Sequence, residues 1–419
     1  MSGLSDVLPN ILPAFRISGS VAARVGPSRV LLVAPQPFYE DRGTPIAIRQ
    51  VAEALSELGW RIDVATYPIG RPIELPNVEL HRCANPLGFR HVPVGFSLRK
   101  VLLDGCLVAT LRERLARQEY DCIHAVEEAA FPAALYGRQL GIPVVYDMAS
   151  SLPEQLASHA AFGGPAAQAA LRRCESWLLR HVDTVICSAG LAPKVREITP
   201  STRLHQWRFS GLRPPTSLAV DSRRARAMLG IGANTQVVLY SGTFEAYQGL
   251  YDLVDAVPLI LAAAPDTVFV LVGAHGAEGA AIRRRVGALG LDHSVRVLER
   301  QPRERIPPLL AMAEVLVSTR AFGGNLPLKI FDYLAAGRSI VATDIPSHRS
   351  VLSDERAMLV PSGARPLAGA VTTLLQDPDR RALLAGSARA YAAAHLGWAG
   401  FVESIEHLYD GVVARSAVR

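Results

Sequence analysis

The sequence predicts an α/β protein made of two doubly wound parallel-sheet domains that face one another across a cleft. Three observations predict this. Short β-branched apolar runs alternate with segments of helical period along the chain, the pattern of a parallel sheet covered by helices on both faces. The alternation stops at FSGLRPPTSLAVDS, where Gly, Pro and Ser break both periods, and then begins again. Finally, 419 residues with 49% hydrophobic and 20% charged composition can fill more than one core at about 100 to 200 residues per domain.

Taken in order, residues 1–28 show no clear period and are expected to form a flexible N-terminal extension. Residues 29–208 form the N-terminal domain. Its strands read RVLLVAP, RIDVATY, YDCIHAV, IPVVYDM and DTVICSA, with helices near 45–58, 97–118, 129–140 and 164–181. Residues 209–222 are read as the linker. The second domain, 223–395, has strands VVLYSG, TVFVLVG, SVRVLE, EVLVST, SIVATD and AMLV, with helices starting near 247, 278, 303, 327, 346, 365 and 379. Runs of this kind, with consecutive apolar residues, suit strands of a sheet covered on both faces.

Composition narrows the function. No run of about 18 uncharged apolar residues exists, and the first stretch lacks the basic start and apolar segment of a signal peptide, so a cytoplasmic protein is expected. The five cysteines are scattered and never form CxxC, which fits reduced thiols and predicts no metal. The net charge of +6 divides evenly between the two halves of the chain, whereas a nucleic-acid-binding arm would be lopsided, so no nucleic-acid partner is expected.

In open parallel sheets ligands gather at the carboxyl ends of the strands, so the loops there carry the chemistry. After EVLVST come RAFGGNLP and the helix LKIFDYLAA, with Pro327 at a first-turn position where its missing N–H costs nothing. The N–H groups of Leu328 and Lys329 and the helix dipole make an anion site, and Gly323 and Gly324 let a phosphate approach the backbone with no β-carbon in the way. A diphosphate fits. Asp332, one turn on, can accept two neighbouring hydroxyls such as those of a ribose.

A second glycine turn, with Gly242 and Thr243, follows VVLYSG and strengthens the phosphate reading. Glu245 beside it would repel phosphate unless it meets a neutral group such as a sugar hydroxyl. Gly273 stands in a third glycine-rich loop, and Arg300, within VLERQP, stands where a nucleobase would lie. In the first domain Gly43 and Thr44 open a helix facing the cleft. His124 closes YDCIHAV, with Glu127 and Glu128 just beyond, and polar groups at strand ends facing a cleft are acid, base or hydroxyl-binding candidates.

Rival chemistries leave no signature. APQPFY replaces the GxGxxG of a dinucleotide enzyme, and GxxxxGK[ST], HExxH and GxSxG are missing. The DxD of Asp377 and Asp379 sits in a Pro-containing turn before a helix and is assigned to capping.

These loops in this order resemble the retaining glycosyltransferases of family 4, the group 1 enzymes of GT-B fold with two Rossmann-like domains. The resemblance spans roughly residues 29–410 and rests on YSGTFEAYQGLYDLVDA, FVLVGA, EVLVSTRAFGGNLPLKIFDYLAAGRSIVATDIPSHRSVL and GWAGFVESIEHLY. It implies an acceptor-binding first domain and a nucleotide-sugar-binding second domain. It also implies that residues 396–419 return as a helix to the first domain, and that no cofactor or essential metal is needed. Two family carboxylates eight positions apart correspond to Gly324 and Asp332. The family's phosphate-loop Arg and Lys correspond to Thr243 and Gln248, so Lys329 and Arg320 are expected to supply the missing charge. A family His two residues after His124 is replaced by Val126, leaving His124 or Glu127 for its role.

The expected activity is transfer of a sugar from a nucleoside-diphosphate-sugar to a glycan, lipid-linked or small-molecule acceptor. Gly43, Gly242, Thr243, Arg320, Gly323, Gly324, Asn325, Leu328 and Lys329 would hold the diphosphate, Asp332, Gly273 and Arg300 the nucleoside, and His124, Glu127 and Glu245 would serve catalysis. The alternatives are a non-catalytic GT-B binding protein and a nucleotide-sugar epimerase. The segment AAQAALRRCESWLLRHV suggests peripheral contact with the inner membrane face, or a domain helix that packs its Leu/Trp side.

Overall fold

The computed structural model describes residues 27–416 except 41–42, 93–95, 158, 160, 207–217 and 322–326. Residues 1–26 of the predicted N-terminal extension and the glycine loop Gly323, Gly324 and Asn325 therefore lie outside the described residues, as does most of the expected linker, whose end is helical from Leu218.

The first half contains strands β1 (Arg29–Ala34), β2 (Arg61–Thr66), β3 (Val78–Arg82), β4 (Cys122–Val126), β5 (Val144–Met148), β6 (Thr184–Cys187) and β7 (Arg203–Gln206). They form one parallel sheet in the order β3-β2-β1-β4-β5-β6-β7, a doubly wound topology whose order reverses at β1 and β4. Its helices are α1 (Gly43–Glu57), α2 (Leu98–Arg117), α3 (Ala130–Leu140), α4 (Leu152–Leu156), α5 (Pro165–Leu179) and α6 (Ala192–Ile198).

The second half contains β8 (Gln236–Ser241), β9 (Thr267–Ala274), β10 (Val295–Glu299), β11 (Val315–Ser318), β12 (Ser339–Thr343) and β13 (Met358–Val360) in the parallel order β10-β9-β8-β11-β12-β13. Around it lie α7 (Leu218–Met228), α8 (Leu250–Ala263), α9 (Gly276–Ala288), α10 (Ile306–Ala311), α11 (Lys329–Ala336), α12 (Pro346–Arg349), α13 (Ala364–Gln376) and α14 (Pro378–His395), before the last helix, α15 (Trp398–Ser416). Each sheet is buried on both faces. In β8, for example, Val238 and Tyr240 join one apolar cluster while Val237 and Leu239 join the other.

The edge strands β3 and β7 and the short helices α4 and α6 escape the sequence expectation. VELHR and RLHQ are half-buried and polar, so they lack the apolar signature of the inner strands. The DxD assignment holds: Asp377 caps α14, its Oδ1 accepting the Arg380 N–H at 2.8 Å.

The last helix packs on the first domain. Phe401, Ile405, Leu408, Tyr409 and Val412 of α15 join Ile48, Val51 and Leu55 of α1 and Ile62 and Val64 of β2 in one core. On α5, Leu178 and Leu179 are buried and Trp177 stacks between Phe131 and His181, so its apolar side serves the protein interior. Among the described residues no helix is long and apolar enough to cross a membrane.

Candidate functional site

The carboxyl ends of both sheets open onto one cleft of about 860 Å³, within the range of small-molecule sites. Glycine, at the end of β8, sets its second-domain wall. Gly242 has φ +150°, and a Cβ there would lie 2.7 Å from the Lys329 Nζ, so the missing side chain makes the room that Lys329 uses. Gly273, at φ +121°, lies against the Gly242 carbonyl, where a Cβ would collide.

Lys329 is the first residue of α11, with Leu328 as N-cap and the Pro327 carbonyl accepting the Ile330 N–H at 3.0 Å. Pro327 thus precedes the cap and stands two positions before the first helical residue, outside the first turn expected for it. Lys329 Nζ donates to the Tyr240 hydroxyl at 2.8 Å and to Gln248 Oε1 at 2.9 Å, and it lies 4.0 Å from the centre of the Tyr240 ring. Gln248 Nε2 in turn reaches Thr243 Oγ1 at 3.3 Å. Burial, and next the charge of Arg320, push the Lys329 pKa well below its usual value, against the pull of Glu245. Arg320 is itself buried, lies over the Tyr247 ring at 5.2 Å, and is lowered by burial. The two cations repel each other, and an anion placed between them would relieve both.

Glu245 lines the same wall, and its Oε2 is buried with no hydrogen-bond partner. A buried acceptor left unsatisfied carries its full desolvation cost, which a ligand donor would remove. Asp332 is buried one turn into α11 and is held by Arg303 at 3.3 and 3.5 Å. Burial raises its pKa and Arg303 opposes the rise. Arg300 also lines the cleft, on the exposed side of the loop after β10.

Across the cleft, Gly43 and Thr44 stand at the start of α1, with open space where a Gly43 side chain would be. Glu127 lines the cleft just after β4 in a left-handed backbone conformation, φ +46°, which is costly for a residue with a side chain. It accepts the Ser150 hydroxyl at 3.3 Å. Burial, then the neighbouring Glu128 charge, raise its pKa to about 7 while Lys100 pulls it down. Lys100 is paired with Glu128 at 2.7 Å, and Tyr67 donates to Asp104, whose pKa burial raises to about 6.

His124, expected at the cleft, sits instead inside β4, fully buried, with Nδ1 at 2.6 Å from the Tyr409 hydroxyl of α15 and Nε2 at 3.6 Å from Asp147 Oδ2. It is not among the cleft-lining residues, because it is the middle residue of a strand and not its last. The structure thus brings together Gly43, Gly242, Thr243, Glu245, Gly273, Arg300, Arg320, Leu328, Lys329, Asp332 and Glu127, and leaves His124 apart. The sequence reading misses Arg303, whose only signal is its place in RQPRER, and Tyr240, which reads as a core aromatic.

One metal-capable group occurs among the described residues, Asp63, Glu79 and His81 at the β2/β3 edge. His81 Nε2 lies 3.7 and 3.6 Å from the two carboxylates, but Asp63 already binds Arg114 at 3.2 Å and Tyr120 at 2.5 Å, and none of the three lines the cleft.

The family model for the glycosyl transferase 4-like domain matches residues 42–198, and that for glycosyl transferases group 1 matches residues 235–377. The chain is 23% identical over 391 residues to the D-inositol 3-phosphate glycosyltransferase of Corynebacterium urealyticum, covering 88% of this chain and 90% of that one. It shares its fold with sucrose-phosphate synthase from Thermosynechococcus elongatus at a TM-score of 0.76 and 21% identity, over 93% of this chain and 100% of the other. Anabaena HepE, solved in complex with UDP-glucose, matches at a TM-score of 0.70 and 20% identity over 91% and 99% of the two chains.

Proposed function

The chain belongs to the group 1 glycosyltransferases of GT-B fold, and from that premise we propose that it moves a sugar from a nucleoside diphosphate donor to an acceptor hydroxyl with retention of configuration. The observation that carries the reading is the Lys329 ammonium, buried at the tip of α11 beside Arg320 with two neutral oxygens for partners and, among the described residues, no carboxylate bonded to it. Such a charge favours an anion. The diphosphate is its natural counterpart, because the leaving group gains charge as the bond to the sugar breaks, and groups already oriented toward that charge lower the barrier. Gln248, itself bonded to Thr243, orients Lys329; by the resemblance these two residues replace the family's Arg and Lys, so in this reading the positive charge comes from α11 and the loop after β11.

In this reading Asp332, with Arg303 behind it, takes the ribose hydroxyls, and Glu245 accepts a donor-sugar hydroxyl at its unsatisfied oxygen. Glu127 faces the acceptor and accepts a hydrogen bond from it, and the open space at Gly43, at the start of α1, leaves room for the diphosphate. The C1–oxygen bond to phosphate breaks, with its electrons going to the diphosphate. The acceptor oxygen bonds to C1 on the same face, and its proton passes to the departing phosphate oxygen. The homology to an inositol phosphate glycosyltransferase supports a polyhydroxylated acceptor.

The test is incubation of the protein with individual nucleotide-sugars, with and without polyol and glycolipid acceptors, followed by NMR of the anomeric product. Slow release of nucleoside diphosphate without acceptor, and product with the donor's anomeric configuration, are expected. An inverted product would remove the retaining mechanism. Donor isomerised without acceptor would make the protein an epimerase, and binding without turnover would make it a non-catalytic sugar-binding protein.

A further inference from the structure

His348 is a fully buried ionisable group to which the proposed reaction gives no part. It lies in α12 and bonds to the last residues of two neighbouring strands, β11 and β12. Its Nδ1 is 2.7 Å from the Thr343 carbonyl and its Nε2 is 3.0 Å from the Ser318 hydroxyl. A carbonyl has no proton to give, so Nδ1 carries the hydrogen and Nε2 accepts from Ser318. Burial lowers the His348 pKa to about 4, opposed by the Thr343 hydrogen bond and helped by the charges of Lys329 and Arg320, so the ring is neutral at neutral pH and both bonds hold. The chain of donors then reaches the cation pair of the cleft. Thr343 Oγ1 donates to the Arg320 carbonyl at 2.5 Å. Three donors thus point one way, from Ser318 to His348, from His348 to Thr343 and from Thr343 to Arg320, and they close a ring of bonds around the end of β11.

The same segment is held from its other side. Thr319 Oγ1 donates to the Gln248 carbonyl at 2.7 Å, and the Ala321 N–H to the Tyr247 carbonyl at 2.9 Å. Ser318, Thr319, Arg320, Thr343 and His348 are all buried, where hydrogen bonds meet little competition from water. Such a grip has a purpose here. Arg320 and Lys329 repel each other, and a free backbone would relieve the repulsion by carrying the guanidinium away. An apolar residue at position 348 would fill the space without the cost of burying an imidazole, but it would release the Arg320 side of the grip. We propose that His348 is a positioning residue for the donor diphosphate: through Thr343 it fixes the backbone of Arg320, so that Arg320 and Lys329 face one anion site before the ligand arrives. This rests on the reading of that pair as the diphosphate site, and it follows the rule that donors oriented in advance cost no reorganisation when charge develops. His348 is not among the cleft-lining residues and acts only through its neighbours.

The test is a double-mutant cycle on the full chain, read by calorimetry with inorganic pyrophosphate. His348→Phe keeps a ring but makes neither bond, and it should weaken binding about tenfold. Arg320→Met should weaken it at least as much. In the Arg320→Met background the further change His348→Phe should cost less than about twofold, because no guanidinium is left to misplace. Thr343→Val keeps the shape and removes the hydroxyl on the Arg320 carbonyl, so it should weaken binding about three- to fivefold with the same dependence on Arg320, and it carries the test if the Phe variant does not fold. A residue that only stabilises the fold would lower the melting temperature and leave the coupling to Arg320 at zero. Additive losses in the cycle, or unchanged pyrophosphate affinity in a folded His348→Phe or Thr343→Val variant, would therefore overturn the proposal. A parent protein that binds no pyrophosphate would sink the diphosphate site and this inference with it, whereas a parent that binds it and gives an additive cycle sinks only the role of His348.

Discussion

Replacing Lys329 by Met removes a buried charge while keeping most of the side-chain volume. In the donor complex that charge would make hydrogen bonds to the diphosphate worth about 1.5 to 3 kcal/mol, so affinity for a nucleoside diphosphate should fall by about 10- to 150-fold. Stability responds differently. Burial and Arg320 hold the Lys329 pKa below its unfolded value, so between the two values the unfolded chain binds more protons and stability rises with pH across that window. At neutral pH the native state bears this penalty, and Met lifts it. Gln248 Oε1 loses its donor at a cost of about 1 kcal/mol. The two effects oppose each other, so the melting temperature should stay within about 4 °C of the parent, with a flatter rise toward alkaline pH. Isothermal titration and thermal unfolding over a pH series measure both. Unchanged affinity in a folded variant would refute the phosphate assignment, and collapse of the fold would refute the claim that Lys329 serves binding and not structure.

Three further outcomes follow from the same geometry. Glu127 has its pKa raised from 4.5 to about 7, so acceptor kcat/KM should climb as pH passes through about 7 while donor hydrolysis stays flat. Between those two values the native state binds more protons, so this group's contribution to stability falls as pH rises. Glu127→Gln should abolish both dependences, and a retained acceptor profile would remove Glu127 from the site. Asp332→Asn keeps the shape but ends the charged pairing with Arg303 and the acceptor for ribose, and calorimetry should find nucleoside diphosphate binding weakened about tenfold or more; equal affinity would place the ribose elsewhere. Gly273→Ala puts a Cβ against the Gly242 carbonyl at φ +121°, at a cost of about 1 to 3 kcal/mol. Lower thermal stability together with weaker donor binding is expected, and a variant unchanged in both would show that the two loops are not locked together.

The inner strands were legible because a strand covered on both faces needs consecutive apolar residues, and RVLLVA and QVVLYS carry them between their polar ends. VELHR and RLHQ do not, since an edge strand is half exposed and its pattern merges with that of a loop. The cleft loops could be read because strand ends, glycines and a helix start fix where ligands collect. Distances along the chain could not reveal that Gln248, 81 residues before Lys329, would be its hydrogen-bond partner. Nor could they show that Asp332 would be held by Arg303, or that His124 falls one residue pair short of the strand end and so faces Tyr409 of the last helix. Those are facts of packing between segments far apart in sequence.

The return of α15 to the first domain means that the polypeptide passes from one domain to the other at two places, once before α7 and once after α14. Two tethers fix a line, and the large relative rotation that stretches neither is a swing about that line. A swing about that line would carry the wall with Lys329 toward the wall with Glu127. Removing residues 396–419 would leave one crossing and bare the apolar strip of α1 that α15 covers.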